Sequence, residues 1–99
     1  MTEQRASLPT RDEFAGCQGS TFVLVASEEH QETLTLTEVE EIRRQGDVEQ
    51  FSVLFRSERM DHLEQRIYRL EHERLGSFEL FLVPLGPDER GMRYQAVFS

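Results

Sequence analysis

The residue types most able to bind a metal ion or to transfer protons gather at one point of this sequence. His72 stands between Glu71 and Glu73, and the other histidines are His30 and His62. Side chains alternate between the two faces of an extended strand, so one strand cannot direct both Glu71 and His72 at one ion. A zinc site would need a further histidine to converge here. We predict no metal site, and we expect His72 to end a strand and to hydrogen-bond a loop carbonyl.

Nucleophilic side chains are present but lack the neighbours that would activate them. The single Cys17 excludes an internal disulfide and a cysteine-based zinc site. Neither a helix N-terminus nor a cationic residue beside it favours a thiolate, so we predict a small buried hydrophobic residue. The serines at 20, 52, 57 and 77 lack the tight turn that exposes a nucleophile, and no glycine run matches a phosphate-binding loop. The sequence predicts no catalytic residue, no cofactor and no enzyme activity.

The charge balance limits the classes of partner. The 99 residues include 19 acidic and 11 basic side chains, a formal net charge of -8, and every basic residue is arginine. Residues 1–50 carry nearly all of the acidic excess. Nucleic acids and anionic membranes attract basic faces, so neither is an expected partner. The acidic run Glu38, Glu40 and Glu41 lacks the spacing of a calcium loop and is predicted to be a solvated face.

The sequence shows no targeting segment. Residues 1–14 lack the apolar centre of a signal peptide, and no stretch approaches the roughly 18 apolar residues of a membrane helix. We expect a cytoplasmic protein, or one exported by a route that reads no cleavable signal.

A short helix is predicted near the N-terminus. Thr10 and Glu13 have the spacing of a capping box, in which each side chain accepts a hydrogen bond from the other residue's backbone. This predicts a helix over residues 10–17, ended by one of the two glycines that follow. Phe14 is its one large apolar residue and is the expected anchor onto the rest of the domain.

From residue 20 onward, apolar residues recur at every second position, as in strands with one buried face. The runs predict six strands, over residues 21–26, 32–42, 50–56, 64–72, 78–85 and 92–98. Residues 38–42 break the alternation and are either a bulged strand, which we favour, or a helical turn capped by Thr37. Loops are expected between the runs, including 43–47 and 86–91.

The run from Phe78 to Leu85 is the most apolar in the sequence. Its density of apolar residues, interrupted only by Glu79, predicts that both faces are buried, with Phe81 and Val83 on the face opposite to Phe78. On that basis we expect Phe81→Ala to cost roughly 3–5 kcal/mol.

The connections are too short for crossover helices, so the strands must be antiparallel. The predicted fold class is mainly β, a small antiparallel six-stranded barrel or sandwich with a short N-terminal helix. Residues 1–99 are expected to form one domain, with residues 1–8 flexible and β structure over 20–99. Strand order and barrel closure do not follow from the pattern.

The second half offers candidate contact residues. Arg66, Arg69 and Arg93 would line up on one exposed face if the last three strands pair. In an unclosed sheet, the last strand would also present an edge at Val97 and Phe98. We predict these five residues as partner contacts, for a protein partner or for self-association.

The sequence resembles a family of short uncharacterised bacterial proteins. The shared pattern is Tyr68-x-Leu70-Glu71-His72, Leu75-Gly76, Leu80-Phe81-Leu82-x-Pro84 and Tyr94-x-Ala96-Val97-Phe98. The resemblance covers most of the chain from about residue 12. Such proteins are associated with phage-tail-collar-type proteins, so the resemblance implies a structural or accessory role in a phage-tail-like bacterial appendage.

Together these features predict a non-enzymatic protein-binding or assembly domain. The alternative is a small-ligand-binding β-barrel whose aromatic residues line a cavity, namely Phe51, Phe55, Tyr68, Phe78, Phe81 and Tyr94. Because side chains should fill the interior of so small a barrel, a small-molecule ligand is not expected.

Overall fold

A capped helical turn and six antiparallel strands make up the computed structural model, which describes residues 8–46, 48–59 and 63–98. The elements are α1 (Arg11–Ala15), β1 (Thr21–Val25), β2 (Gln31–Gln45), β3 (Val48–Ser57), β4 (Arg66–His72), β5 (Gly76–Asp88) and β6 (Gly91–Phe98). The mainly β fold with a short N-terminal helix is therefore confirmed. Residues 1–7 of the segment predicted to be flexible lie outside the described residues.

The six strands close into a barrel in the order β1-β2-β3-β6-β5-β4. All neighbouring strands are antiparallel, and β1 closes the ring by pairing Val23 with Glu71 of β4. The last strand is not an edge strand, as it would be in an open sheet, because β3 pairs with it through Phe98 and β5 pairs with it through Gln95.

The core follows the two-residue alternation of the strands. The buried strand residues include Phe22, Leu24, Leu34, Leu36, Val53, Phe55, Tyr68, Leu70, Phe78, Leu80, Leu82, Tyr94 and Ala96. They belong to all six strands, so each strand contributes one face to a single continuous core.

The helix α1 is held by its cap and by one aromatic anchor. The Thr10 side chain accepts a hydrogen bond from the Glu13 amide at 3.2 Å, and the Glu13 carboxylate accepts one from the Thr10 amide at 3.0 Å. Phe14 is fully buried, with its ring centroid 5.6–6.4 Å from those of four other phenylalanines. The predicted capping box and anchor are both present. Within the described residues, no helix is long and apolar enough to cross a membrane.

The expected burial of both faces of β5 is wrong. Phe78, Leu80 and Leu82 point into the barrel, so the alternation turns Phe81 outward, where 49% of it is exposed. Val83 on the same outer face is only half-buried. The predicted cost of Phe81→Ala, set for a buried ring, is therefore too high.

β2 and β5 continue into segments that were expected to be loops. Residues 38–42 form a bulged strand and not a helical turn, with shifts of register at Leu36/Glu38 and at Glu41/Arg43. β2 then continues to Gln45, so most of the loop predicted over 43–47 is strand. β5 likewise runs to Asp88, across the residues predicted to begin a loop.

One glycine is required where two segments cross. Gly91 begins β6 with φ of 141°, and a Cβ atom there would lie 1.8 Å from the Ser57 carbonyl oxygen. The chain leaving β3 passes directly over this point, and the Met92 amide donates to the Arg59 carbonyl at 3.1 Å.

Candidate functional site

Three large apolar side chains lie together on the outside of the barrel. Ile67 of β4 and Phe81 of β5 are direct partners in register, and they are 60% and 49% exposed. Val97 of β6 is 60% exposed. The last pair between β5 and β6 joins Val83 to Gln95. Val97 lies two residues after Gln95 and Phe81 lies two residues before Val83, so Val97 points to the same outer face as Phe81. We call Ile67, Phe81 and Val97 the outer apolar patch.

Of the predicted contact arginines on β4, Arg69 shares the outer face of Ile67, whereas Arg66 is in phase with Tyr68. Arg66 and Arg69 are both exposed on β4, on either side of Ile67. The Arg66 guanidinium carbon lies 4.7 Å from the ring centroid of Tyr68, and its Nη2 donates to the Ala26 carbonyl at 3.0 Å. These contacts hold the Arg66 cation over Tyr68, on the face of β4 opposite to Ile67.

Arg93 lies apart from the other two arginines. It is half-buried on β6, with Arg56 of β3 and Gly86 of β5 as its strand partners. The neighbouring Asp88 carboxylate accepts a hydrogen bond from the Arg56 guanidinium. The pKa of Asp88 is lowered, first by the backbone N–H of Arg90 and then by these arginines. Arg93 therefore lies beside the ion pair of Arg56 with Asp88.

Phe98 faces the core, unlike its neighbour Val97. Its ring stacks on Phe51 with centroids 4.4 Å apart and an angle of 5° between the planes, and it also contacts Phe14. Of the five predicted contact residues, the structure brings Arg69 and Val97 to the outer face that carries the apolar patch, and it separates Arg66, Arg93 and Phe98 from it.

A second feature links the start of β1 to the end of β4. The Ser20 hydroxyl lies 2.9 Å from His72 Nε2 and donates to the Cys17 carbonyl. On the other side of the ring, His72 Nδ1 accepts hydrogen bonds from the Arg74 and Leu75 amides at 3.0 and 3.2 Å. His72 thus ends its strand as predicted, but it accepts from amides and does not donate to a carbonyl.

These hydrogen bonds indicate where the protons of the Ser20–His72 pair lie. Because Nδ1 accepts from two amides, the ring proton resides on Nε2, which donates to Ser20. Burial lowers the pKa of His72, and the Arg74 guanidinium lowers it further. A neutral imidazole that donates to the hydroxyl cannot remove its proton, so this geometry does not activate Ser20 as a nucleophile. Its role in the fold is to fasten the α1–β1 connection to the barrel.

A buried carboxylate lies at the opposite end of β1. Glu32 is in phase with Leu34, and its side chain is fully buried. Its Oε1 lies 3.3 Å from His30 Nε2 and 3.9 Å from Arg59 Nε, whereas Oε2 is buried without a hydrogen-bond partner. Glu32 also borders a cavity of about 420 Å³ that is lined by Thr21, Thr33, Thr35, Ser57 and Glu58 among others.

The six aromatic residues predicted to line a ligand cavity do not surround a common cavity. Phe51, Phe55, Tyr68, Phe78 and Tyr94 are buried in the continuous core, whereas Phe81 is outside it. The three described cavities, of about 420, 520 and 410 Å³, are bordered mainly by threonine, glutamate and arginine, and none of the six aromatics lines them.

Two further residues considered in the sequence are Cys17 and His62. Cys17 is buried and belongs to the core cluster, as expected. His62 lies outside the described residues. Among the part of the chain that the structure describes, no three His, Cys, Asp or Glu side chains gather as a metal site would require.

Sequence reasoning missed three features. The phase of Leu34 and Leu36 already turns Glu32 inward, and the phase of Phe78 and Leu80 turns Phe81 outward, so a signal for both was available. The Ser20–His72 contact joins residues 52 positions apart, and no local pattern reports it.

Comparison with known proteins finds a matching family model. A family model described as Domain of unknown function (DUF6916) matches residues 9–98, which include every helix and strand of the structure. No curated protein and no solved structure matches the chain.

Proposed function

We propose that this chain, which belongs to the family described as Domain of unknown function (DUF6916), is a non-enzymatic protein-binding domain that engages its partner through the outer apolar patch. The observation that carries the proposal is the exposed pair formed by Ile67 and Phe81, with Val97 beside it. Covering such side chains removes apolar surface from water and stabilises a complex by about 25 cal/mol per Å².

The residues around the patch favour a protein as the partner. Exposed Arg69 lies two residues from Ile67 on β4, on the same outer face. Arginine and aromatic residues are enriched at the centres of protein interfaces, where they dominate the binding energy. The partner surface that fits is apolar at its centre and polar at its border, where Arg69 and Glu79 stand opposite each other.

The non-enzymatic part of the proposal rests on the pairings of the polar residues. The His72 ring already donates to Ser20 and accepts from two amides, so its hydrogen-bonding groups hold the fold. Aromatic side chains pack against one another in the interior, as Phe22 and Phe55 do at 5.2 Å. A protein surface is therefore a better ligand for this domain than a small molecule.

The assembly to which the partner belongs is proposed from resemblance. The motif from Tyr68 to Phe98 resembles proteins associated with phage-tail-collar-type proteins. We therefore propose that the domain is a structural or accessory component of a phage-tail-like bacterial appendage, and that its partner is a protein of that appendage.

Affinity capture from the organism that encodes the chain tests the proposal. Purified wild-type chain is immobilised beside Ile67→Ser/Phe81→Ser and beside Ile42→Ser, in which an exposed isoleucine of β2 is changed. Retained proteins are identified and quantified by mass spectrometry. Circular dichroism and urea unfolding establish that all three chains are folded.

The expected result is one or more proteins of a tail-like assembly that the wild type and Ile42→Ser retain equally. The double variant should retain them at least about tenfold less, because it removes the apolar centre of the contact. Equal capture by the double variant would overturn the assignment of the patch. Capture of a protein unrelated to any tail-like structure would overturn the proposed role in an appendage.

A further inference from the structure

A cavity on the outside of the barrel borders the charged residues around Asp88. It has a volume of about 520 Å³ and lies where β2, β3 and the turn between β5 and β6 come together. Its lining consists of Thr35, Thr37, Arg56, Glu58 and Arg90. It shares no residue with the outer apolar patch, so a ligand in this cavity would be separate from the partner proposed above.

Two arginines stand directly opposite each other at the edge of this cavity. Arg56 of β3 and Arg93 of β6 are partners in register, so their side chains leave the same face of the sheet. Like charges that face each other in this way destabilise an antiparallel pair, and a nearby anion relieves the repulsion. Asp88 supplies one negative charge through its ion pair with Arg56. One carboxylate beside two arginines leaves an excess of positive charge.

Hydrogen-bond donors remain unused on both of these guanidinium groups. Arg56 donates to Asp88 through Nη2, whereas a guanidinium group carries five N–H donors. Within the described part of the chain, the Nε atoms of Arg56 and Arg93 are buried without a hydrogen-bond partner. The Asp88 carboxylate already accepts at both oxygens, from Arg56 and from the Arg90 amide at 2.8 Å. A further anion would therefore supply acceptors that Asp88 does not.

The rest of the lining offers donors that suit an oxyanion. Arg90 is exposed in the turn, and its backbone amide binds Asp88, which leaves its guanidinium group for a ligand. Thr35 is half-buried and stands directly opposite Arg56 on the neighbouring strand, so its hydroxyl lies on the same face. Arginine and threonine side chains are common donors to phosphate oxygens in proteins.

Glu58 is the acidic residue of the lining and opposes an anion. The group of charges around the cavity nevertheless contains more arginines than carboxylates. Arg56, Arg90 and Arg93 stand against Asp88 and Glu58, and three positive and two negative charges leave a formal charge of +1. The whole chain has a formal net charge of -8, so this outer face is locally reversed in sign.

We propose that this cavity binds a small oxyanion of the phosphate class, held by the guanidinium groups of Arg56 and Arg90 and by the Thr35 hydroxyl. These donors come from β3, from the β5–β6 turn and from β2. A tetrahedral phosphoryl group offers oxygens in several directions, whereas a carboxylate offers two in one plane. The excess of positive charge also favours the doubly charged group.

Titration of the purified chain with inorganic phosphate, followed by heteronuclear NMR in a low-chloride buffer, tests the site. Saturable changes should concentrate at the amides of Thr35, Arg56 and Arg90. At about pH 7.5, where phosphate carries mostly two charges, it should bind at least about tenfold more tightly than acetate. Methyl phosphate distinguishes the two sources of the group. Tighter binding of the ester would indicate an organic phosphate, and tighter binding of phosphate would indicate the free ion.

Three single substitutions test which charges hold the anion. Arg90→Gln removes an exposed guanidinium group and should weaken phosphate binding at least about tenfold. Glu58→Gln removes the opposing carboxylate and should tighten binding by about threefold or more. Arg74→Gln is the matched control, because Arg74 is exposed in the β4–β5 turn and lines none of the described cavities. It makes the same change of net charge as Arg90→Gln and should leave phosphate binding unchanged.

Three results would overturn the proposal. The first is the absence of saturable binding up to about 50 mM phosphate. The second is an equal weakening by Arg90→Gln and Arg74→Gln, which would indicate attraction to the net charge alone. The third is binding whose amide changes lie elsewhere on the barrel. Ile67→Ser/Phe81→Ser should bind phosphate as the wild type does, whether or not the outer apolar patch binds a partner.

Discussion

Ile67 and Phe81 stand directly opposite each other across β4 and β5, on the outside of a barrel whose interior is filled by the residues next to them in sequence. Tyr68 faces Leu80 in the same register, and both of these side chains are buried. The same pair of strands thus presents one apolar pair to the core and the next to solvent. A contiguous exposed apolar pair is a common mark of a surface that binds another protein.

The position of Phe81 predicts a modest effect on stability. Phe81→Ala should lower the free energy of unfolding by less than about 1.5 kcal/mol, since half of the ring is already in water. Phe55→Ala, which removes a fully buried ring, should cost about 3–5 kcal/mol. Urea unfolding of the two variants measures the contrast. Equal losses would mean that the outer face of β5 is covered.

The environment of His72 predicts a pH-dependent stability. Burial and the Arg74 guanidinium lower the pKa of His72 in the folded chain, against a smaller opposing effect of Glu73. The unfolded chain therefore binds a proton at a higher pH than the folded chain does. This contribution to stability is complete above about pH 6.5 and is lost as the pH falls towards the lowered pKa.

Urea unfolding of the wild type and of His72→Gln, at about pH 7.5 and about pH 5.5, measures this contribution. The wild type should lose more unfolding free energy on acidification than the variant, which lacks the titrating ring. An equal loss in the two chains would contradict the assignment to His72.

The Ser20–His72 hydrogen bond predicts coupling between distant parts of the chain. Ser20→Ala leaves the buried His72 Nε2 proton without its acceptor and should cost about 1–3 kcal/mol. A double-mutant cycle with His72→Gln should give a coupling free energy of about 0.5–3 kcal/mol. Additive losses, measured by denaturant unfolding, would show that the two residues act independently.

The crossing at Gly91 predicts a position that tolerates no side chain. Gly91→Ala places a Cβ atom 1.8 Å from the Ser57 carbonyl oxygen, at a φ of 141°. It should cost about 3 kcal/mol or more, because backbone must move to relieve the clash. Gly19→Ala is the matched control, since φ there is 88° but no atom lies within 4 Å of the new Cβ. Gly19→Ala should cost about 1 kcal/mol. Equal losses of stability for the two variants, measured by thermal unfolding, would contradict the close crossing at Gly91.

Much of this fold is visible in the sequence because the strands have one buried face. The alternation at Leu34 and Leu36, and at Tyr68 and Leu70, predicts which side chains enter the core. The spacing of Thr10 and Glu13 predicts the cap that forms. Each of these inferences depends on residues within one element, where periodicity is informative.

The features that the sequence left open or predicted wrongly depend on relations between elements. Barrel closure joins β1 to β4, which no local pattern specifies. The loop predicted over 43–47 is mostly strand because β3 pairs with Arg43, Arg44 and Gln45. A run so rich in apolar residues is typical of two-sided burial and predicts a buried Phe81, whereas here the outer face of the run is the candidate binding surface.

The most direct test of the central claim is site-specific photocrosslinking at position 81 in cells of the organism that encodes the chain. The aromatic photoreactive residue p-benzoylphenylalanine replaces Phe81 in one chain and Thr33, an exposed residue of β2, in another. Binding through the outer apolar patch predicts a discrete adduct with another protein from position 81 and none from position 33. Absence of an adduct at position 81, or the same adducts from both positions, would contradict it.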